Sequence, residues 1–138
     1  MDQTYISSCY CTNLRRSANM ISDFYDGALK PSGVTVAQYY LLINLSRLKS
    51  ANISRWARQV GLDRSTLVRN IKPLEARELI KITDGSGKTY TLTENGSQVL
   101  QAAMPLWQSA QDRIAGVLGG EDVEAILRIN EKLQKLQK

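Results

Sequence analysis

The chain contains no histidine and only two cysteines, which stand together as Cys9-Tyr10-Cys11. Those absences remove the usual zinc ligand sets and the Ser-His and Cys-His nucleophile pairs, so the expectation is no metal and no hydrolytic catalysis. No stretch approaches the ~20 unbroken apolar residues that span a bilayer. The opening MDQTYISSCYC lacks the basic-then-apolar order of a secretory signal. A cytoplasmic chain with no cofactor and no membrane partner is expected. Repeats, low-complexity tracts and long linkers are missing too, and 138 residues fit one domain with an appended association element.

Positive charge is present, and it is concentrated. Lys and Arg number 18 against 13 Asp and Glu, a formal net charge of +5. Within 53–81, seven cations (Arg55, Arg58, Arg64, Arg69, Lys72, Arg77, Lys81) stand against three acids (Asp63, Glu75, Glu78). A clustered basic patch is the electrostatic footprint of a polyanion binder. The same cluster also reads as an ordinary solvated helix face.

Periodicity organises the rest. Ile6, Tyr10, Leu14, Ala18, Ile21, Tyr25 and Leu29 recur at steps of three and four, predicting a long amphipathic helix that Lys30-Pro-Ser-Gly33 ends. Thr35 with Gln38 forms a capping box ahead of the apolar helix VAQYYLLINLSRL. Asn52 caps a short helix over 53–60 that stops at Gly61, and Asp63 caps another over 64–76, where a carboxylate also suits the positive helix end. LIKIT and KTYTLT read as strands joined by Asp84-Gly-Ser-Gly87, a tight hairpin turn. Thr93 caps a helix running to Leu118, with Pro105 as an expected kink. Gly119-Gly120 breaks the chain before a last helix opening on Glu121-Asp122.

The fold class that follows is mainly α with a small β-hairpin wing: a winged helix-turn-helix over 35–92, flanked by dimerisation helices over 4–30 and 94–138. The flanking helices carry more apolar residues than one small domain covers, which calls for a second subunit.

On a wheel of the 64–76 helix, Leu67, Ile71 and Leu74 cluster on one side with Val68 at the margin. Ser65, Arg69 and Lys72 fall opposite, with Thr66 and Pro73 beside them. In the major groove an Arg takes both acceptors of guanine, whereas Ser and Thr serve several bases. Arg69 is the first candidate for base reading. Ser65 and Thr66 either join it or bond phosphates, and Thr66 also reads as a helix-start residue. Arg64, Asn70, Lys72, Arg55 and the wing residue Lys88 complete the candidate DNA-binding set.

Three segments, LRRSANMISDFYDGALKPSGVTVAQYYLL, ARQVGLDRSTLVRNIKPLEARELI and YTLTENG, together resemble the MarR family of transcriptional regulators over nearly the whole chain. The resemblance implies a homodimer that buries its terminal helices at a two-fold axis. Each subunit then presents a winged helix to half of a pseudo-palindromic operator on double-stranded DNA. It also implies repression, relieved by a small phenolic or other aromatic effector or by an oxidant. The family's groove-reading positions fall on Ser65, Thr66 and Arg69. Two departures stand out. The wing is only TDGSGKT, with Lys88 its sole cation, where the family carries an Asp-x-Arg-Asp-x-Arg type segment; Glu78 stands where glycine is common.

For sensing, the resemblance directs attention to Tyr25, Tyr39, Tyr40 and Trp107, with Arg16, as an effector pocket; the plainer reading of these aromatics is core. Cys9 and Cys11 read as inert thiols in an interface, as oxidant sensors tuned by Arg15 and Arg16, or as soft-metal ligands. On one helix, residues two apart point about 200° apart, so a bond between them requires unwinding. A protein–protein module on a winged scaffold and a thiol-based redox protein remain the rival functions.

Overall fold

The computed structural model describes residues 8–83 and 88–137. Six helices and one hairpin follow in order: α1 (Tyr10–Leu29), a 3-10 turn (Lys30–Ser32), α2 (Val36–Leu48), α3 (Ile53–Val60), α4 (Arg64–Ala76), β1 (Ile80–Thr83), β2 (Thr89–Leu92), α5 (Glu94–Leu118), α6 (Gly120–Leu133) and a closing 3-10 turn (Gln134–Leu136). The architecture is a winged helix-turn-helix carried between long helices. Ile6 and the Asp84–Gly87 turn lie outside the described residues.

Local chemistry sets the helix boundaries. The Thr35 box forms as a reciprocal pair, with Gln38 N–H donating to Thr35 Oγ1 at 3.1 Å and Thr35 N–H donating to Gln38 Oε1 at 3.0 Å. Asn52 Oδ1 accepts from Arg55 N–H at 2.8 Å, Asp63 Oδ1 from Thr66 N–H at 2.8 Å, and Thr93 Oγ1 from Gly96 N–H at 2.9 Å. Each cap satisfies a donor that the helix itself leaves unpaired. Gly61 turns α3 into α4 with φ of 74°, a left-handed conformation that glycine adopts without a Cβ penalty.

Two helix starts differ from the sequence expectation. Cys9 is the extended N-cap of α1 and not a residue within it, so the helical spacing argument does not apply to the Cys9–Cys11 pair. α6 begins one residue earlier, at Gly120. As expected, α5 runs through Pro105 to Leu118, with the proline on its exposed side.

The core sits between α2, α3, α4, the hairpin and the first half of α5. Leu29, Leu42, Leu45, Trp56, Leu67, Leu74 and Leu79 are wholly buried, and each such leucine contributes about 1.5–3 kcal/mol relative to exposure. Trp56 Nε1 donates to the Leu41 carbonyl at 3.1 Å, which lets a polar ring edge occupy the centre without an unmet donor. Its ring lies 6.0 Å from that of Tyr90, tying α3 to the wing. β1 and β2 pair antiparallel with Ile80 opposite Leu92 and Ile82 opposite Tyr90. Ala51 adds a further antiparallel bridge to Tyr90, through hydrogen bonds of 3.0 and 2.8 Å.

Outside that core the long helices stay uncovered. Leu14 and Met20 on α1, Val117 on α5, and Leu127, Ile129 and Leu133 on α6 are all exposed. Apolar exposure repeated along three helices is the pattern of a face awaiting a partner.

Candidate nucleic-acid interface

α4 is held by its buried side. Leu67 and Leu74 are fully buried and Ile71 is 1% exposed, so the helix cannot rotate without uncovering three aliphatic side chains. Its outer side then presents Ser65, Val68, Arg69, Asn70 and Lys72 to solvent. Thr66, between the two sides, is half-buried. The hydroxyl and cation face is therefore a consequence of where the leucines pack.

A hydrogen-bond chain orders the start of this face. The Asp63 carboxylate accepts from Thr66 N–H and also from Ser65 Oγ at 3.0 Å. A carboxylate only accepts, so Ser65 must donate, and its hydroxyl keeps lone pairs but no proton for an outside partner. Arg69 Nη2 approaches Thr66 Oγ1 at 3.4 Å, which folds the guanidinium back along the helix. The Asp63 carboxyl is held below the usual carboxylate range, first by the Thr66 N–H, then by the Thr66 and Ser65 hydroxyls, with Arg69 adding a smaller electrostatic effect.

The remaining cations separate into two groups. Arg77 donates to the Gly33 carbonyl at 2.7 Å and so ties the end of α4 to the turn before α2. It belongs to the fold. Arg55 reaches the Ser50 carbonyl at 3.3 Å, and Arg64 donates to Ser54 Oγ. Arg64, Ser54, Asn52, Ile53 and the wing residue Lys88 line one cavity of about 300 Å³ between α3, α4 and the wing. The sequence reading named Arg64 and Lys88 but missed Ser54 and Asn52 as their neighbours, since only folding brings residues 52–54, 64 and 88 together.

The candidate sensing residues separate too. Tyr39 stacks on Trp107 with centroids 5.8 Å apart, and Tyr25 stacks on the same indole at 6.4 Å. Tyr25 also donates to Gln111 Oε1. Burial raises the pKa of both tyrosines, with Arg47 partly opposing the rise at Tyr39. Tyr40, one residue on, is about half exposed at 49%. Arg16 lies on the exposed part of α1, ~13 Å along the axis from Tyr25 at 1.5 Å per residue. Of the five residues, the stack thus unites three.

Cys9 and Cys11 are both exposed and unbridged. The Cys9 thiol lies below its ordinary pKa, chiefly through the Thr12 hydroxyl and then through the Thr12 and Cys11 N–H groups. Arg15 instead approaches Cys11 Sγ, at 3.8 Å.

No family model matches the chain. The structure of the M. tuberculosis transcriptional regulator MosR in complex with DNA is similar over 95% of this chain and 100% of that one, with 29% identity and a TM-score of 0.81. The transcriptional repressor CouR bound to p-coumaroyl-CoA shares the fold, with 23% identity, 96% coverage of both chains and a TM-score of 0.84. Among curated relatives, the phenylalanine–tRNA ligase alpha subunit of Thermococcus kodakarensis is 31% identical over 68 residues, 49% of this chain. Those residues span 14% of that subunit's length.

Proposed function

Because the chain has the fold of the MarR-family winged-helix regulators, we propose that it is a sequence-specific DNA-binding transcriptional repressor acting as a homodimer. The observation that carries this reading is the outer face of α4, where Ser65, Arg69, Asn70 and Lys72 stand exposed over a fully packed aliphatic side. Such a face fits the major groove, whose base edges offer acceptors to Arg and mixed partners to Ser and Asn.

In this reading Arg69 swings from Thr66 to a guanine, and Lys72 and Asn70 meet the flanking backbone or bases. Exposed Leu127, Ile129 and Leu133 meet their symmetry mates. The two α4 helices then fall roughly 34–36 Å apart, one turn of duplex. MosR bound to DNA and CouR bound to p-coumaroyl-CoA support DNA and a small-molecule effector as partners. An effector, or oxidation at Cys9 and Cys11, acts by favouring a spacing of the two winged helices that does not fit the duplex.

The test is a salt titration of binding to a duplex from upstream of the protein's own gene, against a scrambled duplex of equal length. A reader prefers its own region and shows a steep fall of affinity with salt. Arg69→Ala then loses about 1–3 kcal/mol of discrimination between the two duplexes. Equal binding of both duplexes by the unaltered protein, or full discrimination by the variant, overturns the assignment.

A further inference from the structure

The sequence departs from its resemblance most at the wing, where one lysine replaces an arginine-bearing segment. The structure places that lysine beside a second cation at one cavity. Lys88 lines the same cavity as Arg64, together with Asn52, Ile53 and Ser54 of the α3 start. We propose that Arg64, Lys88 and Ser54 form a single clamp for one backbone phosphate of the duplex, so that the wing docks on the sugar–phosphate chain instead of reading the minor groove.

The donor inventory fits an oxyanion. Arg64 spends one of five N–H donors on Ser54 Oγ and keeps the others. Ser54, accepting from Arg64, retains its own proton for an outside acceptor. Lys88 adds three donors on a flexible stem. Among the described residues, the lining contains no carboxylate: Asn52, Ile53, Ser54, Arg64 and Lys88 make it up. The adjacent carboxylate, Asp63, is engaged with Thr66 N–H and Ser65 Oγ. The volume of about 300 Å³ equals roughly ten waters at about 30 Å³ each, ample for a phosphate group with part of its hydration. The three donors come from α3, α4 and the wing, so binding there fixes the recognition helix and the wing to the same point of the backbone.

The proposal rests on the DNA-binding reading, and counterion release separates the two. Each neutralised phosphate contributes about 0.9 to the slope of log affinity against log salt. Arg64→Gln, Lys88→Gln and the double variant are compared with the unaltered protein on both duplexes, with thermal midpoints confirming that each is folded. One phosphate shared by Arg64 and Lys88 in each subunit, two per homodimer, predicts a total slope loss of about 1.8 in the double variant. Affinity falls in equal proportion on the preferred and the scrambled duplex.

A loss of about 3.6, additive over the two single variants, means two separate phosphates per subunit and overturns the clamp. So does an unchanged slope, or a shift in base preference. Absence of salt-dependent binding by the unaltered protein overturns the regulator reading itself. Inorganic phosphate at constant ionic strength is the second arm. The clamp predicts no saturable rise in melting temperature; a rise abolished by the double variant assigns the cavity to free phosphate instead of duplex.

Discussion

Gly96 offers a sharp test of how α5 is seated. It is buried in the first turn of that helix, and its N–H donates to Thr93 Oγ1 at 2.9 Å. A Cβ at this position would lie 2.0 Å from the Leu79 carbonyl oxygen and 2.9 Å from its carbon. Carbon and oxygen normally approach no closer than about 3.3 Å, so something must move by more than an ångström. Little there is free to do so. The Leu79 side chain is wholly buried, its N–H donates to Leu74 at 2.9 Å, and its carbonyl already accepts from Thr93 N–H at 3.0 Å.

Two effects of opposite sign therefore compete in Gly96→Ala. Helix propensity favours alanine by about 0.8–1 kcal/mol. Overpacking costs typically 1–3 kcal/mol, and backbone against backbone belongs at the upper end. The clash wins by about 2 kcal/mol, which for a chain of this size lowers the thermal midpoint by about 5–10 °C. Circular dichroism at fixed protein concentration reads the shift, concentration being held because an associating protein melts with a concentration-dependent midpoint. An unchanged or raised midpoint would mean that propensity dominates and that α5 does not rest on the Leu79 backbone.

Other consequences run in different directions. Glu78 is exposed with φ of 58°; relieving about 1–2 kcal/mol of left-handed strain against about 0.4–1 kcal/mol of added unfolded-state freedom, Glu78→Gly raises stability by about 0.5–1 kcal/mol in urea unfolding, and a loss would refute the strain. Because the Asp63 carboxyl titrates lower folded than unfolded, its contribution is whole above the ordinary Asp value of about 3.9 and disappears as pH falls through the lowered value. Wild type should then lose stability faster than Asp63→Asn as pH falls below about 4, since Asn caps equally well without titrating; parallel urea midpoints would sink this account. Leu127 is 64% exposed on α6, so Leu127→Glu should yield a folded monomer in sedimentation velocity, whereas an unaltered dimer would move the association face elsewhere.

Much of this molecule is written locally in its sequence. Thr35 with Gln38, Asn52, Asp63 and Thr93 each bond a backbone N–H three residues ahead, a relation that depends only on neighbours in the chain. The face of α4 was equally legible, because a helical period fixes which residues lie opposite Leu67, Ile71 and Leu74. Other features needed the folded chain. Asp26 accepts from Val36 N–H at 2.8 Å, Arg77 from the basic cluster is used on Gly33, and Ala51 pairs with Tyr90. The meeting of Lys88 with Arg64 and Ser54, and the contact of Gly96 with Leu79, are of the same kind. Each joins residues ten or more positions apart, where no period or spacing links them. Capping and amphipathicity are short-range and leave a mark in sequence; which cation serves the fold and which is left for a ligand is decided by what packing brings beside it.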